Sequence, residues 1–76
     1  MADRKRRDKE PVSRLLHELA QPLATAVLAV EIARIVAERG EVGAAAQRLD
    51  AAMAALEQMQ ALLAAHRRAR REDGAG

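Results

Sequence analysis

The segment HELAQPL, residues 17–23, holds the side chains of this sequence that are best suited to chemistry. His17 and Glu18 are adjacent, and Gln21 follows His17 by about one helical turn. An imidazole is a nucleophile near neutral pH, and a neighbouring carboxylate can accept its proton while the other ring nitrogen attacks an electrophile such as phosphorus. The sequence therefore predicts phosphoryl chemistry at His17, with Glu18 and Gln21 beside it.

No segment of the sequence is suited to binding and activating ATP. A glycine-rich phosphate loop of the G-x-x-x-x-G-K type is absent, and so is a second acidic pair for magnesium. A chain of 76 residues also leaves no room for a nucleotide-binding fold beside the predicted helices. We therefore expect no autonomous kinase activity and no bound cofactor, so that ATP and magnesium would belong to a partner domain.

Pro22 lies in the middle of a segment that otherwise reads as one helix. It has no N–H to donate to the carbonyl of Glu18, and its ring crowds that turn. A proline inside a helix costs about 3 kcal/mol relative to alanine. We expect a kink at Pro22 that makes the backbone beside His17 deformable.

Helical spacing and two glycines predict the elements that position these residues. Pro11 suits the first turn of a helix, and Gly40 suits the left-handed position that follows a helix end. The predicted domain covers residues 11–70, with a first helix over about 12–39, a turn at 40–43, a second helix over about 44–70, and disordered charged tails at 1–10 and 71–76. This is an all-α fold, an antiparallel two-helix hairpin.

A lone hairpin of this kind would leave half of its apolar surface in water, so we expect two copies to pair as a homodimeric four-helix bundle. On the first helix, the apolar stripe is centred about 160° around the helix from His17, so His17 should face water. The stripe consists of Leu19, Leu23, Ala26, Val30 and Ala33. The predicted dimer core consists of Leu19, Leu23, Val30, Leu49, Leu56, Met59 and Leu63.

The segment HELAQPL resembles the H-box of bacterial two-component sensor histidine kinases, at His17, Glu18, Leu19, Gln21, Pro22 and Leu23. Its place near the start of a hairpin's first helix is similar to that in the family's dimerisation and histidine phosphotransfer domain. The resemblance implies that His17 accepts a phosphoryl group from an ATP-binding kinase domain in trans and passes it to an aspartate of a response regulator's receiver domain. It also implies that Glu18 is the acid/base residue, that Gln21 orients a water, and that Pro22 allows bending.

The family's ATP-binding domain is missing from the chain, which departs from the pattern of a complete kinase. An alternative function is therefore a non-catalytic helical adaptor that binds or inhibits a histidine kinase or a response regulator. A possible docking surface lies on the His17 side of the first helix, at Ala24, Leu28, Ile32 and Ile35. The alternative for these four residues is packing inside the bundle. His66 lacks close ligand spacing, so we expect no metal site.

Composition excludes several other classes of function. There is no aromatic residue to stack on bases, and no helix has a basic face, so sequence-specific nucleic-acid binding is not expected. Glu31 and Arg34 interrupt the longest apolar stretch, which argues against a membrane span. The absence of cysteine fits a reducing compartment, and we expect the protein in the cytoplasm.

Overall fold

The computed structural model describes the backbone of residues 2–75 and the side chains of residues 11–72. It contains two helices, α1 (Ala2–Glu38) and α2 (Val42–Ala75), and no strand within these residues. Only residues 39–41 join the helices, so α1 and α2 lie side by side and antiparallel. The predicted all-α helical hairpin is confirmed.

The turn between the helices is a glycine-capped helix end. Gly40 has a φ of +84°, the left-handed conformation predicted for it, which an L side chain adopts only with strain. The N–H of Glu41 donates to the carbonyl of Val36 at 2.9 Å, and the N–H of Gly40 donates to the carbonyl of Ala37 at 2.9 Å. These two bonds satisfy carbonyls that the end of α1 leaves unpaired, and they reverse the chain at once.

The seam between α1 and α2 consists mainly of alanine. Its buried side chains are Ala26, Ala29, Ala33, Ala45, Ala52 and Ala55, and Pro22 is buried with them. Half-buried residues extend the same seam at steps of three and four: Leu15, Leu19, Ile32 and Val36 on α1, with Met59, Leu62 and His66 on α2. A buried methyl group contributes only about 0.8 kcal/mol, so this thin seam stabilises the hairpin weakly.

One side of the hairpin carries nearly all of the large exposed apolar side chains. Leu23 lies about a quarter turn around α1 from the seam, and Leu49 lies about a quarter turn around α2. Both quarter turns run in the direction in which the chain winds. Because the two helices are antiparallel, these rotations lead to the same side of the hairpin. We call this side the open apolar face: Val12, Leu16, Leu23, Val27, Val30, Val42, Leu49, Met53, Leu56 and Leu63, which are 38–73% exposed.

Both helices extend beyond the limits expected from the sequence. The prediction that Pro11 occupies the first turn of a helix is wrong, because Pro11 lies inside α1, which begins at Ala2. The reason is that residues 2–10 include three arginines, two lysines, one alanine and one glutamate, all of which favour helix. Disordered tails were expected at 1–10 and 71–76, whereas helix reaches Ala2 and Ala75. The side chains of 1–10 and 73–76 lie outside the described residues.

The segment Pro11–Glu38 is apolar enough to be compared with a membrane-spanning helix. An 18-residue window in it has a mean hydropathy of 1.6, and 22% of that window is buried in the hairpin. Length and composition alone would let this helix cross a bilayer, but the apolar helix of a soluble bundle and a signal sequence meet the same criteria. The expectation of no membrane span therefore stays a prediction.

Candidate functional site

His17 lies at the edge of an open groove between the two helices, which we call the His17 groove. His17, Glu18, Gln21 and Pro22 of α1 line it, together with Gln58 and Leu62 of α2, and its volume is about 440 Å³. The structure therefore brings together the residues that the sequence singled out within HELAQPL. His17, Glu18 and Gln21 are all exposed, so a second protein can reach the imidazole.

Helix geometry sets the order of these side chains around His17. Gln21 stands one turn after His17 on the same surface, whereas Glu18 is displaced toward α2. His17 and Glu18 both line the groove and both are exposed, so the carboxylate leaves the imidazole open to solvent. This arrangement suits a histidine nucleophile with an adjacent proton acceptor and an amide beside the reacting group.

Pro22 has a packing role that the sequence did not reveal. Its ring is buried and lines the floor of the groove opposite Ala55 and Gln58. The helical assignment of α1 continues through Pro22 without a break. The predicted kink therefore stays a prediction, and the burial adds a second reason for a proline at this position, because its ring fills space along the alanine seam.

The His17 groove continues toward the turn over an alanine floor. This part is lined by Gln21, Pro22 and Thr25 of α1 and by Ala51, Ala54, Ala55 and Gln58 of α2, with a volume of about 370 Å³. Sequence reasoning missed the contribution of α2. The signal was available in the register, because Gln58 and Gln21 lie at nearly equal distances along the chain from Gly40 and so face each other across the hairpin.

The predicted docking residues lie on the His17 side of α1 but reach different degrees of exposure. Leu28 is 57% exposed and Ile35 is 49% exposed, whereas Ala24 is exposed and Ile32 is half-buried. Ile35 belongs to a separate shallow cleft with Glu31, Arg34 and Glu38. Within one hairpin, Leu28 and Ile35 are thus free of the packing that was the alternative for them.

The residues predicted to form a dimer core separate into two groups. Leu19 and Met59 are half-buried in the seam between α1 and α2. The other five belong to the open apolar face, on the side of the hairpin away from His17: Leu23, Val30, Leu49, Leu56 and Leu63. An association through that face would leave the His17 groove open.

A second groove adjoins the first on the side away from the turn. Arg14, Glu18 and His66 line it, with Pro11, Leu15, Leu62 and Ala65. Glu18 belongs to both grooves, and His66 is half-buried. Within residues 11–72, no group of three histidine, cysteine, aspartate or glutamate side chains could hold a metal ion.

Among the described side chains, the one ion pair within 4 Å lies outside both grooves. Arg34 Nε and Glu38 Oε1 are 3.5 Å apart at i and i+4, and both side chains are largely exposed. Such a surface pair contributes little to stability. Among the described side chains, Arg14 and Glu18 form no ion pair with each other within 4 Å.

No protein-family model, no curated protein and no solved structure matches this chain.

Proposed function

We propose that this chain is a histidine phosphotransfer and dimerisation domain of a two-component signalling system. The observation that carries the proposal is the division of the hairpin into two sides. One side has an exposed histidine with Glu18 and Gln21 at the edge of an open groove. The other side is a continuous apolar face that leaves this groove free.

The transfer reaction uses His17 as the carrier. One ring nitrogen attacks the phosphorus of the donor, the other ring nitrogen releases its proton to Glu18, and the bond from phosphorus to the donor oxygen breaks. In the second step a receiver-domain aspartate attacks the same phosphorus, and the nitrogen–phosphorus bond breaks. Gln21, one turn from His17, is placed to orient a water that would end the signal by hydrolysis.

The phosphoryl donor is a separate ATP-binding kinase domain acting in trans, and ATP with magnesium is bound there. This chain supplies only the nucleophile and the surface on which the donor and the receiver dock. Leu28 and the alanine-floored groove are the docking surface that we assign to the receiver. The setting is the cytoplasm, where such kinases and regulators meet.

The open apolar face is the surface through which two copies form a four-helix bundle. The hairpin measures 58 × 24 × 9 Å between Cα extremes, so residues 2–75 are one helix thick and provide no third layer to cover that face. A standard protein interface buries about 800 Å² per partner, which a face of this length and width can supply. The weak alanine seam gives a further reason for a second copy, because small cores rarely suffice alone.

The test is phosphoryl transfer between the purified chain and candidate partners. Kinase ATP-binding domains with labelled ATP, and receiver domains loaded from a small phosphodonor, are mixed with the wild-type chain. Acid-labile, base-stable label on the chain is the expected result. No label from any donor, with binding to one of them preserved, would refute the proposal and favour the non-catalytic adaptor.

A further inference from the structure

We infer that Ser13 and Arg14 form the binding site for the phosphoryl group carried on His17. This inference rests on the proposed function and adds two residues that lie outside the segment HELAQPL. Its ligand is a phosphoryl dianion, whatever the protein or small molecule that delivers it.

The direction of helical side chains brings His17 to these residues. Ser13 and Arg14 precede His17 by four and three positions, the spacings at which Cβ atoms on one helix surface are about 5–6 Å apart. Side chains of an α-helix lean toward its N-terminus and cover the preceding turn. This direction brings the imidazole of His17 toward the turn that holds Ser13 and Arg14, and all three residues are exposed.

The charges around His17 require a cation once it is phosphorylated. A phosphoryl group adds close to two negative charges at neutral pH, beside the carboxylate of Glu18. On the opposite helix, the His17 groove is lined only by Gln58 and Leu62, which are uncharged. Arg14 is the single lysine or arginine of residues 11–72 that lies within one turn of His17 along α1.

The chemistry of Arg14 suits this purpose. Arg14 lies four residues before Glu18, yet it forms no ion pair with Glu18 within 4 Å among the described side chains. A guanidinium presents several N–H donors in a planar fork that matches two phosphoryl oxygens, and the Ser13 hydroxyl can donate to the third. Together they neutralise the charge that develops on the phosphoryl group.

The test uses phosphoramidate, a small donor that removes the need for an identified kinase. A ring nitrogen of His17 attacks the phosphorus of the N-protonated donor, the phosphorus–nitrogen bond breaks, ammonia leaves with the electron pair, and the second ring nitrogen gives its proton to Glu18. We compare the labelling rates of the wild type, Arg14→Gln and Arg14→Lys. Arg34→Gln is the matched control, because Arg34 is an exposed arginine of α1 about 25 Å from His17.

Arg14→Gln is expected to label about tenfold more slowly, the effect of losing one charge-assisted hydrogen bond, while Arg14→Lys recovers part of the rate. The difference should shrink in 1 M salt, where charges are screened within about 3 Å. Arg34→Gln should label like the wild type, and circular dichroism should show equal helix content in all variants. These results together would support the site.

Wild-type labelling with Arg14→Gln within twofold of it would overturn this inference and leave the proposed function intact. An equal loss in Arg14→Gln and Arg34→Gln would also overturn it, because the effect would then come from net charge alone. Failure of the wild type to label from phosphoramidate and from every protein donor would overturn the proposed function itself, and the phosphoryl site with it.

Discussion

Replacing Leu23 with aspartate should weaken the association of two hairpins. Leu23 is 49% exposed in the single hairpin, so about half of its side chain remains to be buried by a second copy. Full burial of a leucine contributes about 1.5–3 kcal/mol, so the dimer should lose about 1 kcal/mol of apolar burial per copy. Burying an unpaired carboxylate costs at least another ~1 kcal/mol per copy. The dimer should weaken by at least about 4 kcal/mol, a factor of roughly a thousand in Kd.

Leu28→Asp is the matched control, because Leu28 lies on the same helix, is 57% exposed and faces the His17 side. Sedimentation equilibrium over a wide range of concentrations measures both variants against the wild type. Leu28→Asp should leave the dimer intact and weaken transfer to the receiver domain. The reasoning would be refuted if both variants dissociated equally, or if Leu23→Asp sedimented like the wild type.

Three further predictions concern thermal unfolding, followed by circular dichroism at one protein concentration. Ala52 is only 3% exposed in the seam, so Ala52→Leu should cost about 2 kcal/mol of stability and lower Tm by about 10 °C. Ala61→Leu, at an exposed site, should change Tm little, and equal midpoints for the two variants would contradict the close packing of the seam. Pro22→Ala should raise stability by about 1 kcal/mol, because removing a helical proline gains about 3 kcal/mol and losing two buried methylenes costs about 1.6 kcal/mol. A lower Tm than that of the wild type would show that packing of the proline ring dominates. Gly40→Ala should cost about 1–2 kcal/mol of stability, because Gly40 has a positive φ. Gly43 lies in helix with open space around it, so Gly43→Ala should stabilise the protein by up to about 1 kcal/mol. Effects of the same sign would contradict the assigned turn.

The hairpin was predictable because its signals are local. Apolar residues at steps of three and four predict each helix, and Gly40 supplies the conformation that ends the first one. The helix ends were less predictable, because residues 2–10 are charged in a way that fits a solvated tail and also favours helix. Pro11 fits the first turn of a helix, and a proline inside a helix has the same sequence appearance.

The distinction between seam and open face was not predictable from periodicity alone. Leu23 and Ala26 belong to one broad stripe in the sequence, yet Ala26 is 5% exposed and Leu23 is 49% exposed. Small side chains let the two helix backbones approach closely, so the alanines are buried first and the leucines are left outside. Hydrophobicity alone would favour burying the leucines before the alanines. It therefore does not predict that Pro22 is buried among the alanines.

The polar residues of the site were predictable on one helix and not on the other. His17, Glu18 and Gln21 share a helix, so their relative placement follows from spacing alone. Gln58 lines the same groove from α2, and its position depends on the register that the turn imposes. That register is the alignment of α1 with α2, a tertiary property that the spacing of residues within one helix does not predict.

The most direct test of the central claim is to locate the phosphoryl group on the labelled chain. The sequence has only two histidines, so His17→Gln and His66→Gln form a complete pair of variants. After transfer from a kinase domain or from a loaded receiver, His66→Gln should carry as much acid-labile label as the wild type, and His17→Gln should carry none. Label that persists in His17→Gln, or that disappears only in His66→Gln, would contradict the assignment of His17 as the phosphoryl carrier.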